Sequence, residues 1–161
     1  MMKPMEHFAR LLNSNISLDE NLIVKSQDRY FLFNETLKHL ASKDFFHAGI
    51  YLGKQRGGVF FPSFNLLAMI AKAGANEVIV DEKSEWLFIC GRDVFKRGII
   101  RATGSAKKGS YTLVLNSRSE CLGFGEILCN LSEARMGVAV KNVLDIGDFL
   151  RREKSNPRRR S

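Results

Sequence analysis

Tyr111-Thr112-Leu113-Val114-Leu115 and Cys121-Leu122-Gly123-Phe124-Gly125-Glu126-Ile127-Leu128 are short apolar runs, the second broken by glycine. Working outward, Val138 to Val143 repeats the texture downstream and Ile99-Ile100 repeats it upstream. Further back, Glu77 to Asp81 has a Val-Ile-Val centre that reads as a strand. Gly91, Gly98, Gly104, Gly109, Gly123, Gly125 and Gly137 punctuate these runs. Short strands set off by glycines predict a small barrel or sandwich. Glu82 to Cys90 stays ambiguous: its apolar run suits a strand, whereas its acidic start suits a helix N-terminus. Asp145 is placed to cap a last helix over Ile146 to Glu153.

Before Gly74 the texture differs. Phe8, Leu11 and Leu12 recur at helical spacing within Glu6 to Leu12. Leu22-Ile23-Val24 and Tyr30-Phe31-Leu32-Phe33, separated by Ser26-Gln27-Asp28-Arg29, read as a β-hairpin. Asn34 caps an expected helix over Glu35 to Ala41, with Leu37 and Leu40 inward. A strand is expected at Ala48 to Lys54, then a turn at Gln55-Arg56-Gly57-Gly58 into Val59-Phe60-Phe61. Pro62-Ser63 opens a helix whose Leu66, Leu67, Ile70 and Ala71 share one face, and Gly74 stops it. This first part reads as a compact α/β unit without repeats or low-complexity stretches.

Charge is uneven along the 161 residues. Residues 1–85 hold ten Lys or Arg and ten Asp or Glu, while residues 86–161 hold fifteen and seven, so the formal net charge of +8 falls on the second stretch. Such asymmetry points to a polyanionic partner for one half. Its densest part is Arg151-Arg152-Glu153-Lys154-Ser155-Asn156-Pro157-Arg158-Arg159-Arg160, and arginine suits bidentate phosphate contact. No apolar h-region opens the chain, and runs such as Trp86 to Cys90 are far short of the roughly 18 residues of a membrane span. A cytosolic or nuclear protein that avoids membranes is expected. Cys90, Cys121 and Cys129 are odd in number and lack a CxxC pair, so neither a disulfide framework nor a zinc site is expected. Burial as small hydrophobes is expected for all of them. Twelve Phe against one Trp point to core packing.

Catalytic signatures are sparse. His7, His39 and His47 have no metal-ligand spacing. Gly53-Lys54 lacks the following Ser or Thr and the upstream glycine of a phosphate-binding loop. Gly123-Phe124-Gly125 has two of the three glycines of a dinucleotide fingerprint inside a strand-like run, which marks a bulge or a close backbone approach instead. Asp81-Glu82 is explained by helix capping. No enzyme activity, metal or cofactor is expected.

Gly91-Arg92-Asp93-Val94-Phe95-Lys96-Arg97-Gly98-Ile99 resembles the PUA signature. Together with Leu122-Gly123-Phe124-Gly125 and Asp145-Ile146-Gly147-Asp148-Phe149-Leu150-Arg151-Arg152-Glu153, it resembles the Nip-seven family of ribosome biogenesis factors. Asn21-Leu22, Tyr30 to Phe33 and Gly53-Lys54 extend the likeness to the first part. The resemblance implies an α+β fold: an N-terminal α/β (pre-PUA) domain over 1–75, a PUA-type pseudo-β-barrel over 76–153 and a basic tail over 154–161. It favours a helix at Glu82 to Cys90. It implies RNA binding by the barrel, a role in pre-rRNA processing and large ribosomal subunit assembly, and protein partners on the first domain. Its archaeal members share the basic ending, which makes an archaeal, cytoplasmic source the expectation, with a nucleolar location if the source is eukaryotic.

The RNA-binding candidates are Lys96, Arg97 and Arg101 on the strand-entry segment, with Arg151, Arg152, Lys154 and Arg158 around the last helix. They would neutralise the backbone phosphates of single-stranded pre-rRNA and release counterions. Gly91 and Gly98 would let RNA approach the main chain. Phe95 is a candidate base stacker, with core packing as its expected role. Nothing resembles a heptad seam, so a monomer is expected. The rival readings are a specificity subunit of an RNA-modifying enzyme, a PUA-containing translation factor and a purely structural interaction protein.

Overall fold

The computed structural model describes residues 3–148 and Arg151. The chain divides into two compact units, 1–74 and 75–161.

In the first unit, α1 (Pro4–Leu11) starts on a proline whose fixed φ and missing N–H suit the first helical position. Four strands follow: β1 (Ile23–Ser26), β2 (Arg29–Leu32), β3 (Ile50–Arg56) and β4 (Val59–Pro62). They form an antiparallel sheet in the order β1-β2-β3-β4. The expected hairpin is β1–β2, with Gln27 in the left-handed region at φ +55°. Strand β3 runs on through Gln55 and Arg56, so only Gly57-Gly58 turns the chain. Helix α2 (Phe64–Ala73) is capped by Ser63, whose Oγ accepts from the Leu66 amide at 3.1 Å, and it ends at Gly74. Its Leu66, Leu67 and Ile70 are fully buried, as the helical spacing requires. Both helices pack on β3, and α1 also packs on β4. Phe60, which touches Phe8 of α1 and Tyr30, marks the helix-covered face of the sheet.

The helix expected after Asn34 is a 3₁₀ helix, Glu35–Leu40. The Asn34 side chain does accept from the Leu37 amide at 2.9 Å, but Leu37 and Leu40 are only half-buried. With so little apolar burial, an α-helical turn gains little from packing, and the tighter form serves as a connector.

In the second unit the strands are β5 (Glu77–Val80), β6 (Val94–Phe95), β7 (Ile99–Thr103), β8 (Tyr111–Leu115), β9 (Cys121–Ile127) and β10 (Val138–Asp145), with α3 (Glu82–Ile89) between β5 and β6. They form one sheet in the order β6-β10-β9-β8-β5-β7, antiparallel except for the β5–β8 pair. Strands β6 and β7 stand at opposite ends of that order, yet only Lys96–Gly98 separates them. A three-residue link cannot cross an open sheet, so the sheet must curl until its two edges meet. This closure makes the pseudo-barrel.

Helix α3 resolves the ambiguous segment. Asp81 Oδ1 accepts from the Ser84 amide at 2.7 Å, and the cap outweighs the local strand preference of Trp86 to Cys90. The helix packs on β6, β9 and β10 and sends Phe88 into the barrel core with Val78, Val80, Val114, Ile127 and Val140. Asn142 fastens the end of α3 to β10: its side-chain amide donates to the Phe88 carbonyl at 2.9 Å, and its backbone amide donates to Asp93 at 2.8 Å.

The Gly123-Phe124-Gly125 run is a close-approach site, as its spacing suggested. A Cβ at Gly123 would run into the Leu144 carbonyl, and one at Gly125 into the Lys141 carbonyl, both on β10. The pairing of β9 slips on both sides of this run, between Val114 and Leu115 on β8 and between Asn142 and Leu144 on β10. Bulges of this kind let the sheet bend into a barrel.

Candidate nucleic-acid interface

The barrel closure carries three of the seven sequence candidates, Lys96, Arg97 and Arg101. Lys96 and Arg97 form the 3₁₀ turn with Gly98, and β7 carries Arg101 directly onward. The turn is held by the Lys96 amide, which donates to the Gly137 carbonyl at 2.8 Å. Lys96 is half-buried and Arg97 is exposed. Every residue of β7 after Ile99 is exposed, because β7 is an edge strand.

Phe95 was expected to pack in the core. The structure leaves it 43% exposed, with the Arg97 guanidinium carbon 5.8 Å from its ring centroid. The strand alternation explains this: Val94 points into the core, so its neighbour must point out. Ile100 is the extra residue of a bulge, lying between the pairs Val80↔Ile99 and Ile79↔Arg101, and is 62% exposed. The closure therefore presents an aromatic ring, two exposed guanidinium groups and an aliphatic side chain on one seven-residue segment. That combination offers cations for phosphate and apolar faces for unstacked bases.

Beneath this rim, Asp81 is a negative counterpart. The Ser84 amide and hydroxyl hold its carboxyl below the usual aspartate range, with lesser help from Lys83 and Arg97. Gly98 is not an open landing point for a ligand. It is buried, and a Cβ there would meet Ser84 in the first turn of α3. Gly91 likewise faces the Arg151 guanidinium.

Arg151 has an internal role. Its Nη1 donates to the Ile89 carbonyl at 2.7 Å and its Nη2 donates to Asp145 Oδ2 at 2.8 Å. Asp145 Oδ1 meanwhile accepts from the Asp148 amide at 2.9 Å, so Asp145 is the expected cap, and residues 146–148 are helical. Arg152, Lys154 and Arg158 lie outside the described residues.

Sequence reasoning overlooked Lys107 and Lys108, both exposed in the loop 104–110 that joins β7 to β8. The Lys108 amide donates to Asn130 Oδ1 at 3.1 Å. A Lys-Lys-Gly run between two strands was the available signal. The charge asymmetry also changes meaning at the real unit boundary. Residues 1–74 carry nine basic and six acidic side chains, and residues 75–161 carry sixteen and eleven. Residues 152–161 alone hold five basic and one acidic, so the described part of the second unit is nearly neutral. A division before Trp86 leaves the acidic start of α3, Glu82 and Glu85, with the first unit, although both belong to the second.

Cys90 is exposed, and Cys121 and Cys129 are half-buried, so the expectation that all three are buried is corrected. Burial pushes the Cys121 thiol up to about 11. Among the described residues, no three His, Cys, Asp or Glu converge as a metal ion requires, and no helix is long and apolar enough to cross a membrane.

A curled six-stranded mixed sheet, closed by a three-residue turn and packed with one helix, defines a PUA-type pseudo-barrel. Residues 76–154 match the family model of the UPF0113 PUA domain, and the second unit has the fold of a PUA domain. The UPF0113 protein of Archaeoglobus fulgidus is 32% identical over 115 residues, which cover 68% of this chain and 64% of the relative. The chain thus spans just under two thirds of that archaeal homologue. Among solved structures, a conserved PUA domain protein from Thermoplasma acidophilum shares the fold at a TM-score of 0.62 and 22% identity, over 94% of this chain and 96% of its own. A PUA domain from Aeropyrum pernix K1 matches at 0.50 and 22% identity, over 58% of this chain and 55% of its own.

Proposed function

We propose that this chain is an RNA-binding ribosome biogenesis factor that acts in pre-rRNA processing and large ribosomal subunit assembly. The PUA barrel holds single-stranded segments of pre-rRNA, and the first unit holds assembly or processing proteins. It works in the cytoplasm as a monomeric adaptor, with no cofactor and no reaction of its own. The observation that carries the reading is a PUA domain whose closure exposes Phe95, Arg97, Ile100 and Arg101 together. The specific role rests on the Nip-seven-like string Asp145 to Glu153.

Arg97, Arg101 and half-buried Lys96 neutralise phosphates and release counterions, which supplies affinity with little sequence preference. Phe95 offers a stacking face for an unpaired base. If the tail residues Arg152, Lys154 and Arg158 join them, four to six phosphate contacts give a salt slope of about −3 to −4 on single-stranded RNA.

The test is a salt series with labelled single-stranded RNA, followed by sequencing of RNA crosslinked to the chain in cells. Each of Arg97→Ala and Arg101→Ala is expected to lower the slope by about 0.7, without changing the melting temperature. Crosslinked RNA is expected to be enriched in large-subunit pre-rRNA. Enrichment of modification substrates or of mature small-subunit rRNA would instead support the modification-subunit or translation-factor reading.

A further inference from the structure

The sheet of the first unit has a second face that the role of the barrel does not use. Cross-strand register places Ser26, Arg29, Lys54 and Phe61 in one row, because Ser26 pairs with Arg29, Arg29 with Lys54 and Lys54 with Phe61. Directly paired residues share a face. Two residues along, Arg56 pairs with Val59 and shares that face. Tyr30 and Phe60, which alternate with these residues, point to the helix-covered side.

This face is both cationic and aromatic. Val59 is 56% exposed and Phe61 is 43% exposed. Phe46, from the segment after the 3₁₀ helix, is 82% exposed, and the Arg29 guanidinium carbon lies 4.9 Å from its ring centroid. Its neighbours Phe45 and His47 pack on Phe31 and so anchor the segment to the same face. A phenylalanine exposed to that degree gains nothing from the core, and the cation beside it keeps the ring in place. Against Arg29, Lys54 and Arg56 stand Asp28, which pairs with Arg56 at 3.3 Å, and exposed Asp44, with exposed Lys43 next to it. The balance is positive.

We infer that the outer face of β2, β3 and β4, formed by Arg29, Phe46, Lys54, Arg56, Val59 and Phe61, is a second binding platform for single-stranded RNA. Flat aromatic and guanidinium surfaces accept unstacked bases of any sequence, and the flanking cations take the phosphates. An acidic protein segment would be drawn by the cations but would leave the Phe46 and Phe61 faces without planar partners. Choosing RNA over single-stranded DNA rests on the RNA reading of the barrel, while the platform chemistry does not.

The experiment uses the full chain and a photoreactive oligouridylate. Crosslinked peptides are mapped, and affinity is measured for Phe46→Ala, for Phe46→Ala with Phe61→Ala, and for Arg97→Ala with Arg101→Ala. Crosslinks within residues 29–61 are expected, with a loss of roughly fivefold or more in affinity for each platform phenylalanine removed. Phe46 is so exposed that its variant keeps the fold, and an unchanged melting temperature verifies this. Crosslinks confined to residues 75–161, with full affinity in both platform variants, would overturn the platform, leave the barrel reading intact and assign the face to a protein partner. Crosslinks confined to the first unit, with no effect of the Arg97 and Arg101 changes, would uphold the platform and sink the barrel reading.

Discussion

Arg151 and Asp145 are joined by a 2.8 Å ion pair in which the carboxylate is almost entirely buried, at 3% side-chain exposure, and the guanidinium is not, at 43%. The same guanidinium accommodates the Ile89 carbonyl near the end of α3. One arginine thus ties the last helix to the first helix of the barrel, across 62 residues of sequence. A residue that looked like part of a phosphate-binding run has a structural partner for each of two nitrogens.

Removing the buried partner is the sharper test. Asp145→Ala loses the cap on the Asp148 amide and the ion pair with Arg151, so the second unit should lose about 2 kcal/mol. Chemical denaturation read by tryptophan fluorescence at Trp86 measures this. Arg151→Ala should also lower the melting temperature, yet it should reduce the salt slope for RNA less than Arg97→Ala does. Equal slopes for the two variants would mean that Arg151 leaves Asp145 to bind phosphate.

Gly123→Ala combines a left-handed φ of +150° with a Cβ directed at the Leu144 carbonyl. The β9–β10 spacing cannot open without breaking the ladder, so the cost should be about 2–3 kcal/mol. A urea melt of the variant should show a reduced midpoint. Retention of the wild-type midpoint would show that the bulge relaxes freely.

Asp81 links stability to pH. Its pKa is depressed in the folded state by the Ser84 hydrogen bonds. The contribution is therefore fully present above about pH 4, the ordinary aspartate value, and is lost as the pH falls through the depressed value. Asp81→Asn preserves a capping side chain but does not titrate, so its melting temperature should fall less steeply than that of the wild type below pH 4. Parallel acid profiles would place the linkage on other carboxylates.

Thiol chemistry should separate the cysteines. Cys90 is exposed, whereas Cys121 is partly buried with a thiol pushed up to about 11. At pH 8 a chromogenic disulfide reagent should label Cys90 fast and Cys121 only slowly, since the thiolate is the reacting form. Cys90→Ser should abolish the fast phase, and its persistence would mean that the barrel opens around Cys121 or Cys129.

Local chemistry was enough to read several elements from sequence. The apolar face of α2 with Ser63 before it and Gly74 after it, the hairpin across Gln27-Asp28, and the glycine-spaced strands from Glu77 onward all follow from caps, turns and periodicity within a few residues. The same holds for Asp145 as a cap and for the close approach at Gly123. The helix at Glu82–Ile89 was not decided by its own residues, which favour a strand as readily, and the family resemblance supplied what propensity lacked.

What the sequence determined by itself was the set of short strands, their boundaries to within a few residues, and a strongly basic end. Only the tertiary structure decided which strands neighbour one another, and with that the functional surface. Sheet order brings β6 and β7 together through three residues and turns Phe95 and Ile100 outward; it also buries Asp145 under Arg151. Partners that close the curled sheet, such as Val138 with Phe95 and Glu77 with Leu113, lie tens of residues apart. The fate of each arginine or phenylalanine is therefore set by a register that no local window contains.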